Sequence, residues 1–207
     1  MSARMSLAKQ LATSHKLLSN QVTTQQVEVV LTELDHVLQA DVAGDVVELG
    51  CYVGTTSVFI RRLLDTTQQK RAFHVYDSFE GLPPKSAQDN SSVGDAFVAG
   101  ELAVSKKQFM QAFARAGLAA PIVHKGWFNQ LEPADLPDAI AFAFLDGDFY
   151  ESIRDSLQLV VPRMSKGGTI VVDDYAREAL PGAAKAVHEY FAPELVQTSH
   201  NMGIIRL

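Results

Sequence analysis

The pattern of apolar positions changes period once along this chain. Over residues 23–38, "TTQQVEVVLTELDHVL", the apolar residues Val27, Val30, Leu31, Leu34, Val37 and Leu38 recur at helical spacing and share one face. Thr24 is the expected N-cap. The preceding stretch 7–18, "LAKQLATSHKLL", carries a weaker helical pattern. Together they predict a helical lead-in over residues 1–40.

Beyond that point short apolar runs alternate with helical ones. Strands are predicted over 45–50, 71–77, 120–126, 139–146 and 167–174. Helices are predicted over 55–64, 105–118, 151–162 and 182–191. In the second of these, Ser105 and Gln108 stand in capping-box register and Gly117 closes the helix. In the third, Ile153, Leu157, Val160 and Val161 share a face and Pro162 stops it. The tail 194–207 reads as two antiparallel strands joined near His200 and Asn201.

Strands alternating with helices predict an α/β fold: a Rossmann-like, mostly parallel sheet with helices on both faces and antiparallel pairing at its C-terminal end. The near-continuous apolar strands predict burial on both faces. There is no internal repeat and no linker, so one domain is expected over 1–207, with the α/β core from 41 to 207. Residues 78–100 break the rhythm. They are long, polar and rich in Gly, Pro and Ser, as in a lid or binding loop.

Ligands in such sheets bind at the carboxyl ends of the strands. The acids Glu48, Asp77, Asp146, Asp148, Asp173 and Asp174 all fall there. Glu48, Gly50 and Gly54 form an E-x-G-x-x-x-G stretch. Tyr52 stands where a dinucleotide fingerprint has its second glycine, so a pyrophosphate fits poorly, and Glu48 would repel it. A cationic ligand without phosphate suits these residues, and S-adenosylmethionine has an ammonium and a sulfonium. Asp77 is then expected to accept hydrogen bonds from the ribose hydroxyls.

The four aspartates would repel one another without a cation between them. An all-carboxylate set suits Mg²⁺, Mn²⁺ or Ca²⁺. Asp146 and Asp148, two residues apart, face one side of an extended segment. Asp173 and Asp174 converge only if the chain turns at Asp173. A divalent ion on a hydroxyl oxygen lowers its pKa, and a nearby carboxylate can then take the proton.

Composition narrows the partners. The net charge of -6 over 207 residues speaks against a nucleic-acid surface. No run reaches the ~20 apolar residues of a membrane span. Cys51 is the sole cysteine, which excludes an internal disulfide. The first ten residues lack the apolar run of a signal peptide, so a cytoplasmic location is expected. His74 and His188 read as structural, and His124 as core or rim. His200 could face an acceptor. Cys51 reads as a packing residue whose backbone N–H could face the cofactor. Trp127 is either a core anchor or an adenine lid, and Tyr150 either touches the acceptor or packs at a helix start.

With "VYDSFEGLPP", "KGWF", "LDGDFYES" and "GGTIVVDDY" in this order, the sequence resembles the macrocin O-methyltransferase-like (TylF) family from about residue 45 to 191. The resemblance implies a class I S-adenosylmethionine-dependent methyltransferase fold and Mg²⁺-assisted methylation of a hydroxyl. The acceptor it implies is a small molecule, such as a sugar of a secondary-metabolite glycoside. It further implies Asp146, Asp173 and Asp174 as metal ligands and Asp148 as the proton acceptor. Glu48, Gly50, Tyr52, Thr55, Asp77, Ser78, Gly126, Trp127 and Asp146 are implied as the cofactor set. Homo-oligomers are common in the family, and the lead-in helices offer an apolar face for self-association. One departure is "FNQLEP" after Trp127, where the family often has Thr-Leu-Pro. Two alternatives stand beside this reading. A nicotinamide-dependent oxidoreductase is opposed by Tyr52 and the lack of a Tyr-x-x-x-Lys pair. A non-catalytic methyltransferase-like binding subunit is opposed by the intact set of crowded carboxylates.

Overall fold

The structure is a computed structural model that describes residues 5–67, 69–94 and 97–207. The lead-in folds as helices α1 (Leu7–Ser14) and α2 (Thr24–Gln39). Thr23, one residue before the expected Thr24, caps α2. Its hydroxyl accepts from Gln26 N at 3.2 Å, and its own N–H donates to Gln26 Oε1 at 3.0 Å. Thr24 has Val27 three residues on, which could not reciprocate. The apolar face of α2 is spent inside the molecule, with Val27, Val30, Leu31 and Leu34 all fully buried. It therefore does not supply the free surface expected for self-association.

The core strands are β1 (Asp45–Leu49), β2 (Phe73–Asp77), β3 (Ile122–Lys125), β4 (Ile140–Leu145) and β5 (Met164–Val172). Between them run α3 (Thr55–Leu64), α4 (Lys106–Ala116) and α5 (Tyr150–Val160), and α6 (Pro181–His188) follows β5. The tail forms β6 (Gln197–Ser199) and β7 (Met202–Arg206). The sheet order is β3-β2-β1-β4-β5-β7-β6. The first five strands pair in parallel, while β7 is antiparallel to β5 and β6 to β7. His200 and Asn201, with φ of 48° and 68°, form the tight turn that joins the last two strands.

Helices α2, α3 and α4 cover one face of the sheet around Phe59, Phe109 and Phe142. Helices α5 and α6 cover the other around Leu145, Leu157 and Ile170. Burial on both faces holds for β4 throughout. It fails at β3, an edge strand whose Ile122 is 51% exposed. Arg206 on β7 fastens the lead-in to the sheet through Glu33, at 2.6 and 2.8 Å. The long segment after β2 contains a 3-10 turn at Ala87–Asp89, and Asp89 is 1% exposed.

Candidate active site

A cleft of about 1120 Å³, its open mouth included, lies at the carboxyl ends of β1, β2, β4 and β5. Of the residues singled out in the sequence, Gly50, Tyr52, Thr55, Asp77, Ser78, Gly126, Trp127, Asp146, Asp148, Asp173 and Asp174 line it.

The parallel register explains why the acids meet. Leu145 pairs with Val172, so the residues that follow, Asp146 and Asp173, leave neighbouring strands side by side. Asp173 N–H still donates to Leu145 O at 2.9 Å. The chain then turns sharply: Asp174 is left-handed at φ 53°, which brings both acids to the cleft wall. Asp148 is likewise left-handed at φ 59°, beside a tight turn in which Phe149 N–H donates to Gly147 O at 2.6 Å. A non-glycine residue held there costs about 1–2 kcal/mol. The surrounding structure must offset that cost.

Burial pushes the pKa values of Asp146 and Asp148 well above the carboxylate range, and the other aspartates push them further. Asp173 is raised to about 7 by burial and Asp174, partly offset by its own bond from Gln26. Gln26 Nε2 donates to Asp173 Oδ1 at 3.1 Å. Asp174 is raised by burial and restrained by Arg177, whose guanidinium lies 3.2 Å away. The donor chemistry suits a hard divalent cation, since all four groups are carboxylates. Among the described residues no three Asp, Glu, His or Cys lie close enough together to ligate one ion, so these carboxylates would have to draw in around it.

Asp77 binds the site together from the other side. Its carboxylate accepts from Cys51 N at 2.8 Å, Tyr52 N at 3.4 Å and Phe79 N at 2.7 Å. It therefore fastens the β1–α3 turn to the end of β2, and the Cys51 N–H faces Asp77 rather than open cleft. Gly50 has φ 93°, and a Cβ there would overlap the Asp146 carbonyl oxygen. This glycine lets β1 and β4 ends touch. Ser78 serves its own turn, donating to Gly81 O and accepting from Glu80 N.

Glu48 departs from the expectation. It is 1% exposed and does not line the cleft. It stands one residue before the end of β1, and its side chain is buried beneath the turn. There burial pushes its pKa up to about 8, and the nearby Ser57 hydroxyl restrains the rise. Its Oε2 finds no partner among the described residues.

Trp127 lines the cleft. So does Cys51, whereas the weighed histidines and Tyr150 do not. His124 stacks on Tyr76 with ring centroids 4.4 Å apart, and His74 lies 3.1 Å from its Nε2. Tyr150 turns its hydroxyl to Glu189. His200 occupies the terminal turn. Sequence reasoning missed Gln26 and Arg177. Arg177 was signalled by its i, i+3 spacing from Asp174, but the Gln26–Asp173 contact joins residues 147 apart and left no local trace.

The strand order, the antiparallel end and the acid-lined cleft define a class I methyltransferase fold. Residues 16–202 match the family described as Macrocin-O-methyltransferase (TylF). The 8-demethyl-8-(2,3-dimethoxy-alpha-L-rhamnosyl)-tetracenomycin-C 4'-O-methyltransferase of Streptomyces olivaceus is 37% identical over 166 residues, 76% of this chain and 61% of that protein. The mycinamicin III 3''-O-methyltransferase of Micromonospora griseorubida is 32% identical over 76% of this chain and 64% of its own length. The solved O-methyltransferase NovP superposes with a TM-score of 0.74 at 28% identity, covering 89% of this chain and 80% of that one. The chain belongs to the macrocin-O-methyltransferase (TylF) family. It spans between 61% and 64% of the length of these curated relatives. No helix among the described residues is long and apolar enough to cross a membrane.

Proposed function

We propose that this protein is an S-adenosylmethionine-dependent, divalent-metal-assisted O-methyltransferase acting on a sugar hydroxyl of a secondary-metabolite glycoside. The carrying observation is one cleft in which the turn held by Asp77 faces four aspartates from β4 and β5. The rhamnosyl-tetracenomycin and mycinamicin in the relatives' names support the acceptor class.

When bound, S-adenosylmethionine supplies an electrophilic methyl group, and a divalent ion supplies Lewis acidity for the acceptor oxygen. The residues of this chain do the rest. Tyr52, Thr55 and Asp77 hold the ribose and methionine end, and Gly126 and Trp127 cover the adenine edge. Asp146, Asp173 and Asp174 would hold the ion. Asp148, beside them, accepts the hydroxyl proton. Leu82, Pro83 and Phe97 of the long segment wall the acceptor space and exclude water. Self-association uses a surface other than the buried face of α2.

Calorimetry tests the cofactor reading: S-adenosylhomocysteine binds and NAD does not. Methyl transfer from S-adenosylmethionine to a panel of rhamnosides and phenols, with Mg²⁺ and with chelator, tests the chemistry. Transfer to phenols alone, or transfer indifferent to chelation, would reject the sugar or the metal element.

A further inference from the structure

Helix α5 begins two residues after Asp148, yet its own sequence does not cap it. The N-cap position is Phe149, which has no side-chain acceptor. The cap comes from elsewhere. Tyr150 N–H donates to Asp89 Oδ1 at 2.7 Å, across 61 residues. The other oxygen, Oδ2, accepts from Ser86 N and Ser86 Oγ, both at 2.8 Å. Both oxygens of this buried carboxylate are thus engaged, one in the long segment and one at the helix.

The neighbours leave space for this contact and no more. A Cβ on Gly182, in the first turn of α6, would overlap Asp89 Oδ1 and lie 2.7 Å from Tyr150 N. Phe149 is 1% exposed and packs with Leu82 and Leu180. The peptides on the C-terminal side of Asp148 are therefore gripped by the Phe149 ring and by the Asp89 carboxylate. Asp148 itself is left-handed, a conformation that persists only where surrounding contacts over-determine it.

We propose that Asp89 is a positioning residue: by capping α5 in trans it holds the strained turn that presents the Asp148 carboxylate to the acceptor. The inference rests on the reading of Asp148 as proton acceptor. A charged acceptor at a helix N-terminus is among the stronger local contacts. Here it couples the wall of the acceptor space to the proton-accepting group, so that one contact orders both.

The test is amide hydrogen exchange by NMR, with calorimetric titration of S-adenosylhomocysteine, on wild type, Asp89→Ala, Asp89→Asn and Ser86→Ala. Asp89→Ala is expected to speed exchange at Tyr150 by tenfold or more, with Phe142–Phe144 in β4 unchanged and cofactor affinity within twofold. Asp89→Asn keeps an acceptor oxygen and is expected to recover most of the protection, as is Ser86→Ala. Unchanged exchange at Tyr150, or acceleration spread evenly into β4, overturns the proposal. Turnover with 4-nitrophenyl α-L-rhamnoside separates the two readings. If Asp148→Asn and Asp89→Ala both turn over like wild type despite faster exchange, the proton-acceptor role fails while the cap stands. If Asp148→Asn is inactive and Asp89→Ala matches wild type in exchange and kcat, the cap fails alone. A further tenfold fall in kcat on adding Asp89→Ala to Asp148→Asn also counts against it, because a residue acting through Asp148 has no second route.

Discussion

Gln26 and Asp173 stand 147 residues apart in sequence and meet in one hydrogen bond, Nε2 to Oδ1 at 3.1 Å. The same glutamine caps its own helix through Oε1. One side chain thus starts α2 and steadies an acid of the cleft.

Gln26→Leu removes both bonds at once. The loss of a cap contributes ~1 kcal/mol and the buried carboxylate left without its donor ~1–3 kcal/mol. The urea midpoint should fall by the equivalent of about 2–4 kcal/mol. A midpoint shift no larger than that of Gln39→Leu, on the exposed end of α2, would show that the contact carries nothing.

Asp77→Ala should weaken S-adenosylhomocysteine binding by roughly 1.5–3 kcal/mol, the scale of lost charge-assisted hydrogen bonds. Because Asp77 also accepts three backbone N–H groups, the melting temperature should fall with it. Calorimetry and thermal melting separate the two roles. Weaker binding at unchanged melting temperature would make Asp77 a ligand contact only.

Glu48 supplies a pH signature. Its pKa is raised to about 8 in the fold from an ordinary 4.5. Below about 4.5 both states are protonated and its contribution is intact. As pH rises to about 8 the unfolded chain releases a proton that the fold retains, so stability falls, and above about 8 the loss is complete. At ~1.4 kcal/mol per pH unit over the interval from 4.5 to about 8, the loss by pH 9 is on the order of 5 kcal/mol. Glu48→Gln should flatten this decline and be more stable than wild type at pH 9. Equal urea midpoints for the two proteins from pH 5 to 9 would contradict the assignment.

Asp148→Asn and Asp146→Asn should part ways. The first keeps the shape and loses the proton acceptor, so turnover should fall by about 10²–10⁴ while Mg²⁺ affinity is nearly retained. Asp146→Asn and Asp174→Asn should weaken Mg²⁺ binding and recover partly in excess Mg²⁺. Turnover against Mg²⁺ concentration decides it. Rescue of Asp148→Asn alone would reverse the roles.

Much of this architecture follows from the sequence by itself. Period and capping gave α4 its Ser105 start and its Gly117 end, because both signals act within four residues. The apolar runs located the core strands, most directly β4, which is buried on both faces and apolar at each step. Four acids at two strand ends marked the cleft, because parallel strands deliver their carboxyl ends to one edge. Tertiary structure decided the rest. Glu48 reads as a ligand contact in sequence, yet the packing of β1 turns it inward. Asp89 reads as one more polar residue in a loop, yet it caps a helix 61 residues on. The convergence of Asp173 and Asp174 needed a left-handed backbone that an aspartate adopts only when its surroundings hold it. Local signals are carried by bonds between near neighbours and survive in the sequence. Contacts between distant segments depend on where the sheet register places them, and no single segment encodes that.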